Sequence, residues 1–286
     1  VMKLPFLLSK ELEATVDGLL EEFERRMMEE LKKLAPPSFM EPMSYAVHGG
    51  KRVRPLILLL ASRLTGEPSV DPFPAAMAIE LLHCESLIHD DIIDREGARR
   101  GKEPFYLKYG AELSLLSADL VLGISMNLIS RYRKGRLMRA MARELSRSVV
   151  EMCEGELLEA SLLREGKRGW NSYLKVVRLK TAPLFRASAK LGGLIATEGR
   201  EAPLVRALSR YGLLLGMAYQ VRDDILDAER GEDTALKLSR VKDLSVLSGL
   251  SKSLASAAKE ALKELGPSPF KEALSQLADV IVERRA

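Results

Sequence analysis

Two acidic clusters offer the most specific chemistry in this 286-residue chain: Asp90-Asp91-Ile92-Ile93-Asp94 and Asp223-Asp224-Ile225-Leu226-Asp227, both of the pattern D-D-x-x-D. Six of the twelve aspartates lie in these two places, so acid is concentrated there. On a helix, Asp90 and Asp94 project from one face, as do Asp223 and Asp227. Like charges at that spacing repel, and apolar residues fill the intervening positions, so a cation must compensate them. Hard divalent cations take oxygen ligands. Magnesium in particular is held by one or two carboxylates together with substrate phosphates. Two carboxylate pairs of this kind point to magnesium bridging to a diphosphate. One such cluster alone reads equally well as a solvated helix face; two with apolar residues at the same positions do not.

Basic residues supply the complementary half. Gly49-Gly50-Lys51-Arg52-Val53-Arg54-Pro55 stands before an apolar helix expected to begin near Leu56. Glycines, cations and a helix N-terminus together make a phosphate cradle, although a basic run before a helix is more often a solvated loop. Arg99 and Arg100 form a second cationic site just after the first acidic cluster, with the planar fork that suits diphosphate. His83, seven residues before Asp90, shares its helical face, whereas His89 is turned away from it. Lys180-Thr181 and Gln220 lie on two other expected helices, Gln220 three residues before Asp223.

Helices must position these groups. Leu12, Val16, Leu19, Leu20 and Phe23 mark one face of a first helix, with Glu21, Glu22 and Glu24 on the other. No segment alternates convincingly at period two. Breaks at Pro36-Pro37, Gly66–Pro74, Gly97–Pro104, Arg164–Gly169, Gly199–Pro203 and Gly266–Pro269 separate roughly ten helices. No break is long, and no solenoid repeat is visible. The expected fold is therefore all-α, a single domain over 1–286.

Composition narrows the classes. The chain is 47% hydrophobic and 29% charged, with mean hydropathy near zero, the profile of a globular protein. A net charge of +4 is too small to imply nucleic acid. Cys84 and Cys153 are far apart in apolar-periodic segments and read as small core residues in a reducing compartment. Val1–Ser9 lacks a cleavage site and is followed by Glu11 and Glu13, against a signal peptide; a cytoplasmic location is expected. Leu113–Ile129 contains Asp119 and small polar residues, so a buried helix fits better than a membrane span.

Together these segments resemble the trans-isoprenyl diphosphate synthases of the polyprenyl synthetase family. The resemblance runs from about Tyr45 to Asp227 through GGKRVRP at 49–55, LLHCESLIHDDIID at 81–94, RRGKEP at 99–104, KTAPLF at 180–185 and YQVRDDILD at 219–227. It implies a homodimeric helical bundle around a central cavity with both Asp motifs at its mouth. Carried over, it makes Asp90 and Asp94 ligands of two magnesium ions and Asp223 a ligand of a third. Arg99 and Lys180 would hold an allylic diphosphate, and Lys51, Arg54, His83 and Arg100 isopentenyl diphosphate. The departing diphosphate would accept the final proton, with Thr181 and Gln220 stabilising nearby.

The chain departs from the family where Glu156 follows Gly155 in place of the usual glutamine. The segment after Asp227 is also shorter than the lysine-bearing loop the resemblance implies, and Lys237 is the candidate to stand in for the expected lysine of that closing loop. A class I terpene cyclase shares the first motif but not the second, nor the cations for two substrates. A non-catalytic partner subunit of a heteromeric synthase would suit the shortened C-terminal third, but such subunits typically lose an Asp motif. Product length rests on positions one to two turns below Asp90: Leu82, Glu85 and Ser86. None is aromatic. That disfavours a farnesyl product and favours geranylgeranyl diphosphate, with longer chains as the alternative; Glu85 either turns aside to a cationic partner or forms a polar floor.

Overall fold

The computed structural model describes residues 10–94, 103–230, 236–239, 241 and 243–284. These form thirteen α-helices and one short 3-10 turn, with no strand among the described residues. The first helix, α1 (Lys10–Leu34), buries the expected stripe and continues it through Met27 and Leu31. It ends before Pro36-Pro37, where proline removes donors and restricts the preceding residue. After α2 (Met40–Val47), α3 (Val53–Ala61) is buried along its whole length. The long helix α4 (Phe73–Asp94) carries the first acidic cluster at its C-terminal end. Short α5 (Phe105–Tyr109) leads through Gly110 into α6 (Ala111–Ser130), then α7 (Gly135–Arg164), α8 (Trp170–Lys180) and α9 (Ala182–Ala196). The second cluster ends α10 (Pro203–Glu229), and α11 (Leu236–Ser239), α12 (Leu244–Leu262) and α13 (Pro269–Glu283) complete the chain. Asp243 caps α12 by accepting from the Ser245 N–H at 2.9 Å, and Ser268 stands before Pro269 as the cap of α13.

Helix α9 lies at the centre, packed on α3, α7 and α10. Small residues allow the close approach: a Cβ on Gly212 of α10 would meet the Phe185 carbonyl oxygen at 2.5 Å, and one on Gly192 the Leu58 carbonyl oxygen at 2.6 Å. The buried Arg186 of α9 is tied to α7, donating to Glu144 and Glu151 at 2.6 Å each. A buried guanidinium is tolerable when carboxylates satisfy it in this way.

Several expectations change. Three further interruptions, at Gly110, at Tyr132–Lys134 and at Thr181, raise the helix count above ten. They lack proline or a glycine cluster, so periodicity runs through them. Thr181 is thus not inside a helix but between α8 and α9. Helix α6 buries only one stripe, Ser114, Ser117, Ala118, Val121, Ile124, Ser125 and Leu128 among it, and exposes Leu115, Leu116 and Met126. Among the described residues it is the one helix long and apolar enough to cross a membrane, yet its buried stripe packs on α4. Cys84 is buried as expected, its thiol pushed up to about 12 by burial. Cys153 is exposed, because it falls on the outer face of α7 between exposed Val150 and Leu157.

Candidate active site

The basic segment before α3 is a bent loop whose first arginine is structural. Gly49, Gly50 and Arg52 adopt φ of 86°, 97° and 50°, the left-handed region that glycine enters freely and arginine only when held. Arg52 is held by Glu24 and Glu80 at 2.6 and 2.7 Å and by the Val47 carbonyl at 2.5 Å. Burial works against its charge, but those carboxylates outweigh it and raise its pKa. With Arg52 anchored inward, Lys51 stays exposed. Helix α3 starts earlier than expected, at Val53, so Arg54 lies in its first turn, its guanidinium 4.5 Å from the Phe185 ring and 5.9 Å from that of Tyr219.

On α4, Asp90 is partly exposed while Asp91 is buried and accepts from the Phe105 N–H at 3.3 Å. The same division appears on α10. Asp223 and Asp227 are partly exposed; Asp224 is buried, accepting from Tyr173 Oη at 2.6 Å and Gln220 Nε2 at 2.9 Å. Burial raises the Asp224 carboxyl up to about 7, against the pull of its two donors, and the neighbouring Asp223 charge adds to the rise. The middle aspartate of each cluster therefore anchors its helix, whereas Asp90, Asp223 and Asp227 are partly exposed, Asp223 paired with Arg284 and Asp227 with Arg230. Sequence alone does not separate Asp91 or Asp224 from its neighbours.

Lys180, the last residue of α8, lies against α7 and donates to Glu156 at 2.7 Å and Glu159 at 2.8 Å. Its approach depends on Gly155, where a Cβ would sit 2.5 Å from the Lys180 backbone nitrogen. Burial lowers the Lys180 pKa, but the charges of Glu159, Asp90 and Glu156 override it and hold the ammonium well above its ordinary range. Glu159 also acts on Asp224, so Lys180 and Glu159 connect the surroundings of the two clusters. Thr181 Oγ1 donates to Gln220 Oε1 at 2.6 Å. With the amide of Gln220 on Asp224, this forms one chain of hydrogen bonds from Thr181 to Tyr173. Glu159 and Tyr173 escaped sequence analysis: each is an ordinary residue until folding sets it beside Lys180 or Asp224.

His83 is partly buried on α4, and its carbonyl accepts from Ser86 Oγ at 2.9 Å. Leu82 is buried. Glu85 has turned aside to His89, its Oε1 lying 3.1 Å from Nδ1 of that ring. The hydrogen bond to Glu85 raises the His89 pKa against the effect of burial. The remaining expected residues cannot be placed: Arg99 and Arg100 lie outside the described residues, as do the side chains of Asp94, at the end of α4, and Lys237, on α11.

The donor set suits magnesium. It consists of carboxylate oxygens, with the flanking Asp90, Asp223 and Asp227 partly exposed. Among the described residues no three His, Cys, Asp or Glu side chains converge as a closed cage, so any magnesium here needs oxygens from water or diphosphate as well. A separate groove of about 580 Å³ beside α1 is also rich in charge. Its Arg26, Arg131 and Lys134 are paired with Asp71, Glu30 and Glu198, and it shares no residue with the acidic clusters.

The all-α scaffold thus joins two D-D-x-x-D helix ends, a basic segment before α3 and a partly buried lysine between carboxylates. Residues 36–249 match the polyprenyl synthetase family, and the chain belongs to it. It is 35% identical to a geranylgeranyl diphosphate synthase of Methanosarcina mazei over 70% of this chain and 61% of that protein, so it spans under two thirds of that relative. It is 33% identical to the geranylfarnesyl diphosphate synthase of the same organism over 90% of both. The crystal structure of a geranylgeranyl pyrophosphate synthetase from Pyrococcus horikoshii superposes with a TM-score of 0.85 at 25% identity, covering 96% of this chain and 99% of that one.

Proposed function

We propose that the chain is a magnesium-dependent prenyltransferase that condenses isopentenyl diphosphate with an allylic diphosphate, head to tail and in trans, to a short-chain isoprenyl diphosphate. The observation that carries this reading is the division of labour within the clusters: Asp91 and Asp224 turn into the protein while Asp90 and Asp223 stay accessible. Asp90, Asp94 and Asp223 would hold magnesium, three ions by the family resemblance. Bound magnesium neutralises charge that develops on a leaving diphosphate.

The chain's own residues do the rest. Lys180 spends donors on Glu156 and Glu159 and has a third N–H for the allylic diphosphate, assisted by Arg99. Lys51, Arg54, His83 and Arg100 bind isopentenyl diphosphate and orient its double bond toward the allylic carbon. As the allylic C–O bond breaks, the homoallylic double bond attacks, and the proton shed from the adduct passes to the departed diphosphate. The Thr181 hydroxyl and Gln220 amide, fixed by their mutual hydrogen bond, present oriented dipoles to the developing charge. Lys237 would serve the closing of the site. The enzyme works as a single-domain homodimer in the cytoplasm, a setting that suits two free cysteines.

The product is geranylgeranyl diphosphate. Leu82, Glu85 and Ser86 include no aromatic ring to stop the chain early, and relatives named for geranylgeranyl and geranylfarnesyl products support a chain at least that long. Chromatography of the products from dimethylallyl and isopentenyl diphosphates should show mainly C20. With Glu85 turned aside to His89, Glu85→Ala should leave that distribution unchanged, whereas a shift to longer chains would make its carboxylate the floor of the pocket. A dominant C15 product would refute the length assignment.

A further inference from the structure

One cation at the second cluster belongs to neither set of expected substrate ligands. Arg284 follows the last turn of α13, and its guanidinium forms an ion pair with Asp223. Its Nη2 also donates to the Tyr219 carbonyl at 3.1 Å. The position is built rather than incidental. Arg222 clamps the Arg284 carbonyl from Nε at 3.0 Å and Nη2 at 2.5 Å, and the guanidinium lies 4.0 Å from the centre of the Tyr219 ring. That same ring has the Arg54 guanidinium 5.9 Å away, so two arginines flank one aromatic. The Arg284 side chain is only 11% exposed, and its Nε and Nη1 are buried without a hydrogen-bond acceptor among the described residues. Buried donors without acceptors are costly, and where they persist they commonly mark a ligand's place.

We propose that Arg284 is a further diphosphate-binding residue of the homoallylic subsite, held in the metal-free enzyme by Asp223 and released when metal takes that carboxylate. The inference rests on the function proposed above. Asp223 cannot neutralise a metal ion and Arg284 at once. When its charge turns to the metal, a buried guanidinium that shares the Tyr219 ring with Arg54 is left uncompensated, and an anion is the group that restores balance. Once Nη2 leaves Asp223, either fork of the guanidinium, Nε with Nη2 or Nη1 with Nη2, can take two phosphate oxygens. Metal loading and isopentenyl diphosphate binding are thereby coupled through one side chain, each favouring the other.

Calorimetry on the whole chain tests this with Arg284→Gln and Arg284→Lys. With magnesium alone and no substrate, Arg284→Gln should bind the ion several-fold more tightly, because the internal competitor is gone. With magnesium present, the same variant should bind isopentenyl diphosphate about tenfold more weakly while KM for the allylic substrate stays put. Arg284→Lys keeps the charge but not the fork, so its magnesium affinity should stay near wild type while isopentenyl diphosphate binding weakens. A merely structural role would weaken both ligands together. Unchanged isopentenyl diphosphate affinity in either variant, or magnesium affinity in Arg284→Gln that is equal or lower, overturns the proposal. Should Arg284→Gln lose its helical circular dichroism, the lysine variant decides alone. If wild type itself neither binds nor consumes isopentenyl diphosphate, it is the proposed function that fails; an active wild type with unaltered variants sinks only the role of Arg284.

Discussion

Adjacent aspartates in each cluster are sorted by the fold: Asp90 and Asp223 are partly exposed, whereas Asp91 and Asp224 hold their helices in place. Neighbours on a helix point about 100° apart, so one can face a site while the next faces the core. Asp224 is the costlier anchor, its carboxyl raised by burial from 3.8 to about 7. The native protein thus keeps a proton there that the unfolded chain loses near pH 4. Stability is undiminished below that pH and falls as pH rises toward 7, since the unfolded chain binds fewer protons through the window. Asp224→Asn cannot ionise. In chelator, its stability relative to wild type should rise between pH 4 and 7 and level off above, by at most about 1.4 kcal/mol for each pH unit crossed. Denaturant titrations across that range check it; a difference independent of pH would mean that Asp224 is not the titrating group. Sequence made the carboxylates and cations legible as types but not this sorting. Arg284 and Asp223 are 61 positions apart and Thr181 and Gln220 39 apart, and such pairs exist only once helices have packed.

At the scale of elements, periodicity told more. The stripe of α1 is buried as read from Leu12 to Phe23, and the proline and glycine breaks fall between observed helices. Interruptions without such residues, at Thr181 above all, left no local trace. The exposure of α6 was also hidden, because a helix apolar on every side gives no sign of which side lacks a neighbour. Leu115, Leu116 and Met126 of α6, with Val150 and Leu157 of α7, are each 50% exposed or more. Such a surface on a helix otherwise packed in the core is suited to a second copy of the chain. Light scattering should therefore give twice the chain mass, and Met126→Glu with Leu157→Glu should shift the protein toward monomer while leaving its helical content intact. A wild-type monomer at micromolar concentration would rule out the homodimer.

The molecule as a whole brings α4, α7, α8 and α10 to one place so that a lysine, two glutamates and two aspartate clusters share a site, with α3 and α13 adding arginines around Tyr219. No single motif carries that arrangement; the buried α9, tied to α7 through Arg186 and to α10 at Gly212, sets it. The all-α class and both clusters were visible before the structure because they are local patterns, whereas the position of the C-terminal arm at the second cluster is a property of the packed chain. The central claim is that this site ionises an allylic diphosphate with magnesium and joins it to isopentenyl diphosphate. The direct test is incorporation of labelled isopentenyl diphosphate into prenyl product by the purified chain supplied with dimethylallyl diphosphate and magnesium, beside Asp90→Ala and Asp223→Ala. Wild type should turn over in a reaction that chelator abolishes, and each variant should lose about a thousandfold or more, which corresponds to about 4 kcal/mol at the transition state, with circular dichroism unchanged. Near-normal turnover in chelator or in either variant would contradict the claim.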